Sequence, residues 1–179
     1  MSPPFTILTD EEEREFHRLQ RYYWQEALRC EDAKAYLSGC IMLGAVLEAL
    51  LILMVNVYPE EAEQTGKIPT IKGRPKPLIN WSLAEALRVA EAAHWLPSTV
   101  DLQKEKWNGR NARVGKSGET IQKLRNFVHP ARYAKDHYGQ KITQKYLKRQ
   151  FEALLVCRSW LADKNNTSLL EHMKSEGIL

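Results

Sequence analysis

The chain has few cysteines, no alternating strand pattern of useful length and no metal-ligand spacing, and each lack removes a class of function. Its three cysteines, Cys30, Cys40 and Cys157, are odd in number and far apart in sequence. They form neither a disulfide framework nor a paired redox motif, so reduced thiols in a cytoplasmic protein are expected. The five histidines are scattered, and none stands four residues from another histidine or from a cysteine. No metal and no other cofactor is therefore expected. The segment "GRNARVGKS" looks at first like a phosphate-binding loop, but Arg110 stands where the first glycine is required and no strand precedes it. The start, "MSPPFTILTDEEER", has no basic run followed by an apolar one, which argues against a secretion signal.

What is present is helical periodicity over 179 residues, the size of one domain with its own core. Thr9 and Glu12 form a capping box, and acids fill the first turn that follows, which predicts a helix over 10–32 with Phe16, Leu19, Tyr23 and Leu28 on its apolar face. Residues 35–58 hold a single charge, Glu48, and are long enough to cross a bilayer. A carboxyl near the centre of a membrane span costs roughly 3 kcal/mol, and the other helices need something apolar to pack against. The run therefore reads as the central helix of a bundle, over about 33–58, not as a membrane anchor. The stretch 59–80 is rich in proline and glycine and reads as a long mobile loop. Ser82 and Glu85 begin a third helix that runs to Pro97, and Thr143 caps a long helix bearing Leu147, Phe151, Leu154 and Leu161. A short helix is expected in the tail, 165–179. The fold class is all-α, in a single domain spanning 1–179.

Charge is unevenly placed. Residues 1–66 carry 12 acids and 5 bases, whereas residues 104–149 carry 13 bases and 3 acids, a net +10. A block this basic fits phosphate or nucleic acid, and it also fits solvated lysines on helix faces. Within it, "QKLRNFVHPARY" places Arg125 and His129 at i and i+4 of a helix that closes before Pro130, with Asn126 beside that face. In one reading Arg125 meets a carboxylate and His129 caps the helix end. In the other, the pair does chemistry. Cleavage of RNA by its own 2′-hydroxyl needs a base, an acid and a cation for the growing phosphorane charge; histidine serves the first two and arginine the third. Trp107, Arg110, Arg113, Arg132, Tyr133 and Lys135 surround the motif with stacking and phosphate-binding groups.

The motif "LRNFVHP", coming after "GAVLEALL" and "WSLAEALRVAEAAHWLP", resembles the HEPN superfamily of prokaryotic helical-bundle proteins over about residues 33–162. The resemblance implies an up-and-down bundle of four or five helices. It also implies a homodimer in which two Arg/His motifs approach each other, and metal-independent endoribonuclease activity of the kind found in toxin-antitoxin or phage-defence systems. Arg125, Asn126 and His129 would be the catalytic residues, and RNA and a cognate antitoxin or other partner protein would be the partners. Three residues separate Arg125 from His129 where the family pattern has four to six, and Gln122 stands where six would place the arginine. A non-catalytic dimerisation or partner-binding module of the same fold is the alternative. Glu48, a lone carboxylate on an apolar helix, needs a partner, and Arg125 or another base of the motif is the expected one.

Overall fold

The computed structural model describes residues 5–96, 99–100, 114–115, 131, 134–135 and 141–175. Its elements are α1 (Asp10–Asp32), α2 (Tyr36–Val57), α3 (Pro59–Gln64), a hairpin of β1 (Thr70–Ile71) and β2 (Arg74–Pro75), a 3-10 turn (Leu78–Asn80), α4 (Leu83–Ala92), the paired β3 (Thr99–Val100) and β4 (Val114–Gly115), and α5 (Gln144–Ser175). Both strand pairs are antiparallel and two residues long. The described chain is mostly helical, as the periodicity predicts.

The apolar run forms the centre. Leu43, Leu47 and Leu51 of α2, spaced by four, have no solvent exposure, and Cys40, Val46, Ile52 and Val55 are buried around other sides of the same helix. Burying each such leucine contributes about 1.5–3 kcal/mol. A helix apolar on nearly all sides must be covered on nearly all sides. Here α1, α4 and α5 each pack against α2. By length and composition α2 could cross a membrane; in this fold its side chains are the core of the bundle.

Helix starts follow the sequence closely. Glu12 N–H donates to Thr9 Oγ1 at 3.3 Å and Thr9 N–H to Glu12 Oε2 at 2.8 Å. Tyr146 N–H donates to Thr143 Oγ1 at 3.3 Å. The ends of α1 and α2 fall where the sequence places them, and the end of α4 does not. The third helix stops at Ala92 rather than at Pro97, because His94 takes a left-handed φ of 56°. Trp95 N–H then returns to Ala90 O at 2.9 Å and His94 N–H to Glu91 O at 3.2 Å, the paired bonds of a Schellman stop. Lys34, at φ 58°, ends α1 in the same way, with Ala35 N–H donating to Cys30 O at 2.8 Å. Both positions favour glycine, and neither carries it.

Three further expectations are corrected. The 59–80 stretch is not a loop throughout but holds α3, the first hairpin and the 3-10 turn. The tail does not form a separate short helix, because α5 runs without a break through Ser175. On α1, Leu28 is exposed, while Ala27 and the half-buried Trp24 face the core. The Trp24 ring meets Phe151 of α5 edge-on at 5.3 Å.

Candidate functional site

Glu48 lies midway along α2, half-buried, and its carboxylate reaches the start of α4, where Leu83 N–H donates to Oε1 at 2.9 Å. Leu83 is the first residue of α4. An N–H there has no partner within its own helix and stands at the positive end of the helix dipole, so a carboxylate is well placed. The carboxylate therefore has a partner that periodicity alone did not reveal. The one signal was the position of the capping pair Ser82 and Glu85 beside an apolar helix start. Arg125, Asn126 and His129 lie outside the described residues, as do Trp107, Arg110, Arg113, Arg132 and Tyr133. Lys135 is exposed, like its neighbour Ala134.

The same helix start is reinforced from the hairpin side. Ser82 N–H and its hydroxyl donate to Glu85 Oε2 at 2.7 and 2.9 Å, and Lys76 Nζ lies 2.9 Å from that oxygen. Burial, the largest single influence on the Glu85 carboxyl, pushes its pKa up; the bonds from Lys76 and Ser82 together outweigh it and hold the group below its ordinary value. The aromatic and polar groups at the other end of α4 are also joined. Trp95 Nε1–H donates to Glu61 Oε2 at 3.0 Å, and Lys164 Nζ of α5 lies 3.0 Å from Glu61 and 4.6 Å from the centre of the Tyr58 ring.

The basic stretch enters the described bundle at the start of α5, where Lys141, Lys145 and Lys148 are exposed. Glu31 of α1 meets this end: Gln144 Nε2 donates to it at 3.2 Å and Lys148 Nζ stands 3.7 Å away. On the next turn Gln150 is 3 % exposed, and among the described residues no group donates to its Oε1. Among the described residues no three His, Cys, Asp or Glu side chains converge as a metal site would require.

A second concave feature lies between α1, α2 and α5. It is a solvent-open groove of about 220 Å³. Leu50, Leu53, Met54 and Val57 of α2 and Leu161 of α5 line it with apolar surface, and Glu13, His17, Gln20, Arg158 and Asn165 give it polar groups. Of these, Arg158 is exposed. Comparison with protein-family models, with curated proteins and with solved structures finds no match. The functional reading therefore rests on the chain's own residues.

Proposed function

We propose that the chain is a HEPN-like helical-bundle protein that binds RNA and cleaves it without metal, acting as a homodimer in the cytoplasm within a toxin-antitoxin or phage-defence system. The observation that carries this reading is the coincidence of the Arg125/His129 pair with a segment of 13 bases and 3 acids. Phosphate attraction supplies most non-specific nucleic-acid affinity, and such a block supplies the charge. The mostly helical architecture around a buried α2 supports this reading at the level of fold class alone.

In the proposed reaction His129 takes the proton of a ribose 2′-hydroxyl as its oxygen attacks the adjacent phosphorus. The bond to the 5′-oxygen breaks, and that oxygen leaves as a hydroxyl after receiving a proton from imidazolium. The products are a 2′,3′-cyclic phosphate and a 5′-hydroxyl end. Arg125 holds the charge on the phosphorane oxygens. Asn126, adjacent to Arg125 in sequence, is the third residue of the proposed catalytic motif. Trp107, Arg110, Arg113, Arg132, Tyr133 and Lys135 hold the strand by stacking and phosphate contact. Glu48 acts as a supporting carboxylate, positioned by its bond from Leu83 N–H.

The experiment is cleavage of end-labelled single-stranded RNA in excess chelator, beside a His129→Ala variant with unchanged helical circular dichroism. Cyclic-phosphate ends from the wild type alone support the proposal. The three-residue gap between Arg125 and His129, with Gln122 upstream, favours a second reading: a non-catalytic module that dimerises or docks a partner protein. Folded dimers that cleave none of a panel of RNAs would select it. Binding by either route is separable by salt, since RNA affinity through several phosphates falls steeply as salt rises whereas an apolar protein contact does not.

A further inference from the structure

We propose that the groove between α1, α2 and α5 is a binding site for a small apolar monocarboxylate, independent of the nucleic-acid reading above. Its floor follows from helix geometry. Leu50, Leu53, Met54 and Val57 stand at i, i+3, i+4 and i+7 of α2 and so line one side of it. This side is not closed over: Val57 is 53 % exposed although it belongs to the most apolar helix in the chain.

The polar groups select the sign of the ligand. Glu13 is the carboxylate lining the groove, and it already accepts a hydrogen bond of its own. Asn56 Nδ2–H donates to Oε2 at 3.1 Å, and His17 Nε2 stands 3.8 Å from Oε1. Arg158 is exposed and has no ion pair or hydrogen bond among the described residues. The acid at the rim is thus occupied and the guanidinium is available. Gln20 and Asn165 add amide donors. An anionic head at Arg158 with an apolar chain along the α2 floor satisfies both parts of the lining.

Size limits the ligand further. About 220 Å³ is less than the roughly 300–1,000 Å³ of sites that enclose drug-sized molecules, so the groove takes a single short chain and not a nucleotide.

Octanoate and octan-1-ol, matched in chain and different in head group, test this against the full-length protein by titration followed in amide chemical shifts. We expect saturable one-to-one octanoate binding, with octanol weaker by about ten-fold or more, the size of one charge-assisted contact. Arg158→Gln should lower octanoate affinity by about ten-fold and leave octanol unchanged. Ala162→Trp, at an exposed position lining the groove, should abolish both, with helical circular dichroism retained in each variant. Absence of saturable octanoate binding, equal affinity for the two ligands, or an Arg158→Gln variant that keeps full octanoate affinity would overturn the proposal.

Discussion

At its N-terminal end α2 is held by space, and at its C-terminal end by polar partners. Gly39 lets α2 approach α1 and α5 so closely that a Cβ there would sit 2.9 Å from Leu147 Cδ2 and 3.3 Å from Cys30 Cβ. Next to it, burial pushes the Cys40 thiol up to about 12, so this side chain behaves as a small neutral apolar group. At the other end Asn56 accepts from Leu8 N–H at 2.8 Å through Oδ1 and donates to Glu13, which ties the N-terminal segment to the bundle. Beyond it Tyr58, Glu61, Trp95 and Lys164 form the aromatic and ionic cluster described above. An end defined by close packing is intolerant of added volume. An end defined by hydrogen bonds is intolerant of losing a partner.

The largest expected effect tests the packed end. Gly39→Val should destabilise by about 3 kcal/mol, because Leu147 is fully buried and Cys30 Cβ is close to the backbone, leaving little freedom to yield. For a chain of this size that lowers the melting temperature by roughly 10 °C. Made in a Leu147→Ala background, the same substitution should cost at least about 1 kcal/mol less, since the space it needs has been vacated. Strictly additive thermal shifts would show that the two side chains do not compete for that space.

The polar end should fail differently. Glu61→Ala removes the acceptor of the Trp95 indole, a ring only 2 % exposed, and should cost about 2 kcal/mol as that N–H is left buried and unpaired. Lys164→Met removes the ionic partner, and with it the cation over the Tyr58 ring, but leaves the indole bond. The Glu61 side chain is 41 % exposed, so water replaces the ammonium and the loss should stay below about 1 kcal/mol. Urea midpoints of the two variants measure the contrast. Equal losses would place the stabilisation in the ion pair rather than in the indole bond.

These ends also differ in how far the sequence announces them. Thr9, Ser82 and Thr143 declared their helix starts because a cap is a local arrangement of a few adjacent residues. The central role of α2 was legible because an apolar run with one carboxylate has few ways to be buried. Gly39 gave no such sign: a glycine inside a helical pattern shows its purpose only once Leu147, more than a hundred residues away, is placed beside it. The Glu61–Trp95 bond and the Glu48–Leu83 bond are equally non-local. The stop at His94 was hidden for another reason, since a residue with a Cβ occupies a position where glycine is the usual marker. Of the candidate site, Glu48 was singled out as a carboxylate in need of a partner, with Arg125, outside the described residues, as the expected one; the bond seen comes from the Leu83 backbone N–H, which side-chain patterns do not encode. The groove was missed because its α2 stripe is indistinguishable from the rest of an apolar helix.

Acid should separate the packed end of α2 from a third region, the start of α4. The Glu85 carboxyl is lowered by Lys76 and Ser82 in the folded chain, so its contribution is complete above the unfolded value and is lost as pH falls through the lower, folded one. Glu85→Gln should therefore destabilise by about 1 kcal/mol at neutral pH, with the gap from wild type closing as pH drops below the ordinary glutamate range. Stability measured by urea denaturation between neutral and acid pH follows this directly. A gap that persists unchanged into acid would mean that the carboxylate form itself is not what stabilises α4. The Gly39→Val deficit, arising from volume, should show no comparable pH dependence.

The smallest expected effects compare the two turns that flank the ends of this packing. Lys34 and His94 are exposed, and both hold left-handed backbone, at φ 58° and 56°. A residue with a Cβ loses about 1 kcal/mol or more in that conformation. Glycine removes this strain and returns part of the gain through its greater freedom in the unfolded chain. Lys34→Gly and His94→Gly should each stabilise by about 0.5 kcal/mol, a rise of about 1–2 °C in melting temperature for a chain of this length. Lys34 stands where α1 turns into the close-packed end of α2, and His94 stands beside the Trp95 indole that the polar end depends on. Similar gains at both would show that backbone strain is set by the turn alone. A gain at Lys34 with a loss at His94 would show instead that the polar end needs the stiffer residue to hold Trp95 in reach of Glu61.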